Sequence, residues 1–240
     1  MTGAFFNALG ILLGALFGLA QRAPLSLRTQ DYFRRALGAF TVFFGLRLVW
    51  LGVNGTFGSC AKQLFLALLA VTLGNWLGRL LRLQQISNRL GRFAGNLIAS
   101  THSKVPPRAG DGFLACTVLF CAAPLGLLGV VTDGLTGDFY LLAVKAVMDG
   151  LAMTGFIKIF GWPAALSAFP VYAVLGGLTL ACQIVARPFL DAHGLLDSVN
   201  VAAGLVACAV ALVILEVRKV ELANFLPAVV VAPGLAWLFR

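Results

Sequence analysis

Charge is what this chain of 240 residues lacks: charged side chains make up 11% of it, and only nine residues are acidic and two are histidine. A soluble domain carries about 25% charged residues, so a free-standing water-soluble fold is excluded. Histidine is too scarce for a His-rich metal centre, and His102 and His193 stand apart. The five cysteines (Cys60, Cys116, Cys121, Cys182, Cys208) follow no metal-ligand spacing, and four of them lie inside apolar segments, where cysteine behaves as a small hydrophobe. No glycine-rich nucleotide loop occurs either. Neither a metal nor another cofactor is expected, and nucleic acid is not a partner, because the net charge of +9 is not spread over a soluble basic surface.

What the chain has is apolar length. It is 60% hydrophobic with a mean hydropathy of +0.94. A bilayer-spanning helix needs roughly 20 mainly apolar residues, about 17 at the lower end. Eight blocks qualify, near 4–19, 36–53, 64–81, 113–131, 139–160, 164–186, 199–215 and 225–239. Backbone groups in lipid must be satisfied within a helix or a closed barrel. The blocks are continuous and do not alternate, so they predict an all-α polytopic membrane protein of seven or eight spans. No Lys or Arg precedes the first block, so it reads as a span and not a cleaved signal. Thirteen of the eighteen Lys and Arg residues fall in the loops after segments one, three, five and seven; Lys62, Arg187 and Arg240 fall on the other side. Positive charge is retained in the cytoplasm, which predicts a multi-pass protein of the bacterial inner membrane with both termini outside.

Segments one to three recur as six to eight. "NALGILLGALFGLAQR" resembles "AVLGGLTLACQIVAR", and the offset that sets Gly10 against Gly176 also sets Gly38 against Gly204. An odd number of helices separates the copies, so they run in opposite orientations. The predicted single membrane domain therefore divides into a first repeat (1–81), a cytoplasmic helix and linker (82–111), a central helix pair (112–161) and a second repeat (162–240). In the linker, Leu83, Ile86, Leu90, Phe93 and Leu97 recur at helical spacing opposite Arg82, Arg89 and Arg92. A basic helix with one apolar face suits an anionic lipid surface; the plainer reading is a continuation of segment three packed on protein.

The scarce charge gathers at 132–150, "TDGLTGDFYLLAVKAVMDG", which holds Asp133, Asp138, Lys145 and Asp149. Gly134 and Gly137 suit positive-φ positions of a tight turn there. Lys145 and Asp149 are four apart and share a helix face. A charge at the bilayer centre costs at least about 2.5–3.5 kcal/mol, so such groups face protein or water, with a partner. Arg47 in "FFGLRLVWLG" is a second intramembrane charge. In one reading Asp149, Lys145, Arg47 and Asp133 line a path for an ion or small solute, and Asp149 matters more to activity than to folding. In the other they form an ion-pair network that fixes helix packing. Asp138 also reads as the cap of segment five. Asn7, ahead of segment one, and Asn224, ahead of the proline-interrupted segment eight, are polar points at helix ends. Interrupted helices expose dipoles that hold ions; interhelical hydrogen bonding is the plainer use.

Two enzyme motifs come close and fail. "DGLTGD" lacks the arginine of the phosphatidyl-alcohol transferase motif D-G-x-x-A-R, and Leu135 stands where the intramembrane aspartyl proteases need the first glycine of G-x-G-D. The chain is therefore read as a non-enzyme. Residues 110–152, "GDGFLACTVLFCAAPLGLLGVVTDGLTGDFYLLAVKAVMDGLA", resemble instead the core of the YdfK/YqgA-like bacterial membrane proteins, domain of unknown function 554. The shared pattern falls on Leu119, Phe120, Cys121, Gly126, Gly129, Asp133, Gly134, Leu135, Gly137, Asp138, Lys145, Asp149 and Gly150. "NALGILLGALFG" and "NFLPAVVVAP" extend the resemblance over nearly the whole chain, and Ala123 and Pro124 depart from it. The resemblance implies the helical membrane fold and carries no established activity. The expected function is a secondary transporter or channel for a small solute or ion; the alternative is a scaffold or regulatory subunit that binds protein or lipid. A homo-oligomer is compatible with either.

Overall fold

The computed structural model describes residues 1–21, 26–100 and 109–239. Arg22, His102, Lys104, the Pro106–Pro107 pair, Arg108 and Arg240 lie outside them. The described residues form helices and no strand. The first three helices are α1 (Thr2–Ala20), α2 (Leu27–Gly52) and α3 (Phe57–Leu80). The Ser26 hydroxyl accepts from the Thr29 N–H at 3.2 Å, and Thr56 accepts from the Ser59 N–H at 3.5 Å; each fills a donor left open at its helix start. Next come α4 (Leu83–Ser100), set off from α3 by the left-handed Arg82 (φ 55°), and then α5 (Ala109–Ala122) and α6 (Pro124–Thr136). These two form segment four, bent by 58°. Proline cannot continue a helix but is tolerated in its first turn, so Pro124 ends one rod and starts the next. The rest comprises α7 (Tyr140–Phe160), α8 (Ala168–Ala181), a π turn (Cys182–Ala186), α9 (Arg187–Ala192), α10 (Leu196–Ile214) and α11 (Ala228–Leu238).

Six of these spans are long and apolar enough to cross a bilayer, and the bent α5–α6 pair would make a seventh. The eighth predicted block is a shorter apolar helix, Leu222–Leu238. Three local expectations are corrected. The acidic turn is tighter than predicted: Gly137 has φ 76°, whereas Gly134 is helical and packs on Thr179 and Cys182. Asn7 lies inside α1 and not ahead of it. Helix α2 starts well before the apolar block: the polar stretch "LRTQDYFRR" is its first turns, begun at the Ser26 cap.

Small residues decide which helices meet. Gly10, Gly14 and Gly18 of α1 press on Ala146, Gly150 and Thr154 of α7; a Cβ at Gly14 would lie 2.1 Å from the Gly150 carbonyl oxygen. Gly45 of α2 and Gly204 of α10 meet backbone to backbone in the same way, Gly74 of α3 receives Ala228 at the start of α11, and Gly78 receives Asn224 in the short turn Leu222–Phe225 before it. Close approach of this kind is how helices associate where lipid removes the hydrophobic drive between them. The central pair serves two cores: Leu128 and Leu141 pack with Val199, Ala203 and Val206, while Val130 and Leu142 pack with Ile11, Phe120 and Val171. Phe5, Leu16, Phe40, Trp50, Phe65 and Trp76 point outward, an apolar surface of the kind a bilayer covers.

On α4, Ala94 is buried, whereas Ile86, Leu90 and Phe93 are exposed. Its polar start is tied down: the Gln84 N–H donates to Asn224 Oδ1 and the Gln84 side chain accepts from the Ala223 N–H, both at 3.1 Å.

Candidate functional site

Helix α7 brings Lys145 and Asp149 one turn apart on its inner side, where Lys145 is 1% exposed and Asp149 7%. The Lys145 ammonium donates to Asp149 Oδ2, and Asn7 Nδ2 of α1 donates to the same oxygen at 2.9 Å. Asn7 Oδ1 is buried without a partner. Room for the lysine comes from the neighbouring broken helix. Its stem crosses Gly126 in the first turn of α6, where a Cβ would lie 2.7 Å from Cε, and its ammonium sits 5.8 Å from the centre of the Phe120 ring. Removing one partner of such a pair costs far more than the pair itself contributes, so Lys145 and Asp149 depend on each other.

A second set of charges lies on the face where α1 begins. Asp133 Oδ2 accepts from the Gly3 N–H at 3.1 Å and lies 3.2 Å from the Met1 amino group, a favourable place for a carboxylate at a helix start. Asp138 is paired with Arg47 and accepts from the Tyr140 N–H at 3.3 Å, so it caps α7 as well as closing an ion pair. The Arg47 guanidinium rests 4.9 Å over the Tyr140 ring. Phe44 stacks on Tyr140 at 4.6 Å, Tyr140 on Phe139 at 4.8 Å and Phe139 on Phe6 at 5.6 Å. This ladder joins α2, α7 and α1.

On the opposite face a cavity of about 630 Å³ enters the same cleft. Helix α2 contributes Gln30, Arg34 and Leu37, α7 contributes Met148, Leu151 and Thr154, and α10 contributes Val210, Val213 and Ile214. The helix break closes its end with Ala123, Pro124 and Leu125. Arg34 at its mouth pairs with Glu216 at 2.6 Å. The cavity reaches the neighbours of Asp149, and Asp149 is not among the residues that line it.

The residues singled out in the sequence thus separate into three groups. Asp149 and Lys145 form one, with Asn7; Arg47 and Asp138 form another; Asp133 holds the start of α1. Asn224 is elsewhere, donating to Glu221 at 2.7 Å beneath α4, where it serves as a helix connection. The sequence reading missed Asn7 as the third member of the central group. Its signal is spacing: Gly3, Asn7, Gly10 and Gly14 fall on one helix face, the face that meets α7. Among the described residues no group of His, Cys, Asp or Glu gathers that could hold a metal.

Fold and site define a polytopic α-helical membrane protein with a charge pair buried beside a broken helix. The chain belongs to the family described as Protein of unknown function (DUF554), which it matches over residues 2–237. It is 30% identical to the uncharacterized protein YqgA of Escherichia coli strain K12, over 99% of this chain and 97% of that protein. It is 23% identical to the uncharacterized membrane protein YdfK of Bacillus subtilis strain 168, over 97% of this chain and 94% of that protein. No solved structure matches the chain.

Proposed function

We propose that the protein is a secondary transporter or channel that moves a small solute or ion across the bacterial inner membrane. One observation carries the reading: Lys145, Asp149 and Asn7 are buried together at a discontinuous helix. Intramembrane charge is costly and mostly reserved for pathways, and broken helices are where carriers place their sites. The cavity that ends at the same break supports it. Asp149 and Lys145 are the central station, and Arg47, Asp138 and Asp133 stand at the entrance opposite. In this reading both termini face outward, loop 79–108 is cytoplasmic, and α4 rests on anionic lipid through Arg82, Arg89 and Arg92.

An inverted repeat belongs to the same proposal. Positions 10 and 176 are 166 apart, as are 38 and 204, and 49 and 215. Gly38 packs on Leu215 and Gly204 packs on Val49. One contact thus occurs twice with its partners exchanged, the signature of a two-fold axis. The equivalents also touch each other: α1 meets α8, α2 meets α10 and α3 meets α11. A half-turn superposition that leaves Gly10 and Gly38 away from Gly176 and Gly204 would remove the repeat.

The mutual pairing of Lys145 and Asp149 favours a second reading, a scaffold or regulatory subunit in which the pair is a fixed strut. Flux separates the two. Purified protein in liposomes is given Na⁺, K⁺, Cl⁻ and pH gradients, alongside the Lys145→Met/Asp149→Asn double variant, which strands no charge. Transport predicts flux in the first and none in the second. Silence from both, or equal flux from both, overturns the reading.

A further inference from the structure

We infer that the cleft between α2, α7 and α10 has a second mouth on the face where α1 begins, closed in this conformation by Arg47, Asp138, Phe44 and Tyr140. The inference rests on the transport reading and deepens it, because it assigns the residues a solute meets from the other side. It starts from the open mouth. The residues that α2 and α10 give to the 630 Å³ cavity are Gln30, Arg34, Leu37, Val210, Val213 and Ile214. Moved by the repeat offset of 166, they become Leu196, Asn200, Ala203, Phe44, Arg47 and Leu48. Two of these, Phe44 and Arg47, are the α2 members of the plug that seals the same cleft on the opposite face.

The difference between the two mouths is one of side-chain size and partner. At the open mouth the equivalents of Phe44 and Arg47 are Val210 and Val213, which are small and leave the space empty. At the closed mouth Phe44 stacks on Tyr140, and Arg47 both covers that ring and pairs with Asp138. Asn200 supplies an independent mark. It is buried, and its Oδ1 has no hydrogen-bond partner, a costly state for an amide that water would relieve once the plug lifts. The charged groups that meet at the plug are Arg47 from α2 and Asp138 from the α6–α7 turn; Asp133 of α6 is held separately, by the start of α1. In this inference the 630 Å³ cavity is the open mouth and the Arg47–Asp138 cluster marks the shut one, and the repeat makes the reverse arrangement available to the same chain.

The test reads thiol access in lipid nanodiscs, where both faces meet solvent, with a water-soluble maleimide and peptide mass spectrometry. Asn200→Cys reports the closed mouth and Val213→Cys the open one; the native cysteines remain in place. In the otherwise unchanged protein the thiol at 213 reacts fast and that at 200 slowly. The Arg47→Gln/Asp138→Asn pair, which removes the plug's ion pair without stranding a charge, raises labelling at 200 tenfold or more and lowers it at 213 in step. Phe44→Val copies Val210 and touches no charge, and it shifts both rates in the same directions. Unchanged labelling at 200 in both variants overturns the inference, and so does a rise at 200 with no fall at 213, which would mean a loosened protein or an open pore. No solute is needed, so reciprocal labelling in a protein without flux would leave the second mouth standing and remove transport.

Discussion

Asp149→Asn removes one charge and leaves the size of the side chain unchanged. The new amide can still accept from Asn7, so that bond is retained in kind. What changes is the lysine. Lys145 is 1% exposed, and Asp149 is its ion-pair partner. The Phe120 ring, 5.8 Å away, is near the outer limit of a cation–π contact and is a weak substitute, worth about 2 kcal/mol. Breaking a buried pair from one side costs about 3–5 kcal/mol. For a chain of 150–250 residues each kcal/mol moves the melting temperature by about 2–4 °C, so the fall should be roughly 10 °C. Lys145→Met strands the carboxylate instead and should cost a similar amount. The double variant buries no net charge, and its methionine fills the groove over Gly126, so it should melt near the parent protein. With Lys145 and Asn7 both on its carboxylate, Asp149→Asn is expected to lower stability alongside any loss of the proposed flux. Thermal unfolding in detergent, read by fluorescence-detected size exclusion, supplies all four corners of the cycle. A single variant that melts with the parent protein would refute the reasoning, as would a double variant no better than the singles.

Gly14→Val should unseat α1 from α7, since its Cβ would lie 2.1 Å from the Gly150 carbonyl oxygen, whereas Gly177→Val meets nothing within 4 Å and should be tolerated; yield of monodisperse protein in detergent compares them, and equal yields would show that the crossing is not tight. Neutralising Arg82, Arg89 and Arg92 together to Gln should cost about 1 kcal/mol per charge at an anionic surface, and native mass spectrometry should then find less anionic lipid retained; unchanged retention would mean that α4 does not rest on lipid. Reporter fusions at the C-terminus should place it outside the cytoplasm, and a cytoplasmic reading would overturn the proposed orientation and imply that α11 does not cross.

The helices were legible in the sequence because lipid leaves the polar backbone of an apolar segment few other forms, and continuous blocks without alternation exclude the barrel. Their mutual arrangement was legible only in part. Gly10, Gly14 and Gly18 announce a close-packing face, but nothing in their spacing says that the partner is α7 and not a helix nearer in sequence. For the same reason Asn7 read as a helix end: its bond to Asp149 joins residues 142 apart, and pattern within one helix cannot carry that. The bend at Pro124 follows from the missing N–H, yet its consequence, room for Lys145 over Gly126, exists only once α6 lies beside α7. Asp133 holds the start of α1, a contact 130 residues apart in sequence that its local pattern does not announce, because a carboxylate finds unfilled N–H donors there.

The single acidic stretch divides in space for a reason of helix geometry. Asp138 sits at the turn and Asp149 eleven residues on, which at 1.5 Å per residue is about 16 Å along α7, near half of a hydrocarbon core of about 30 Å. One short run of sequence therefore supplies both a plug at a face and a charge pair at mid-depth, on one rigid rod. Because α7 carries Tyr140 at its start and Lys145 and Asp149 further along it, tilting α7 away from α2 would part Tyr140 from Phe44 and Arg47. The same tilt would carry the pair relative to Asn7 on α1, since the rod cannot bend between them without breaking its own hydrogen bonds. Coupling between the face and the centre then needs no chain of intermediaries, only a stiff helix whose two ends have different neighbours.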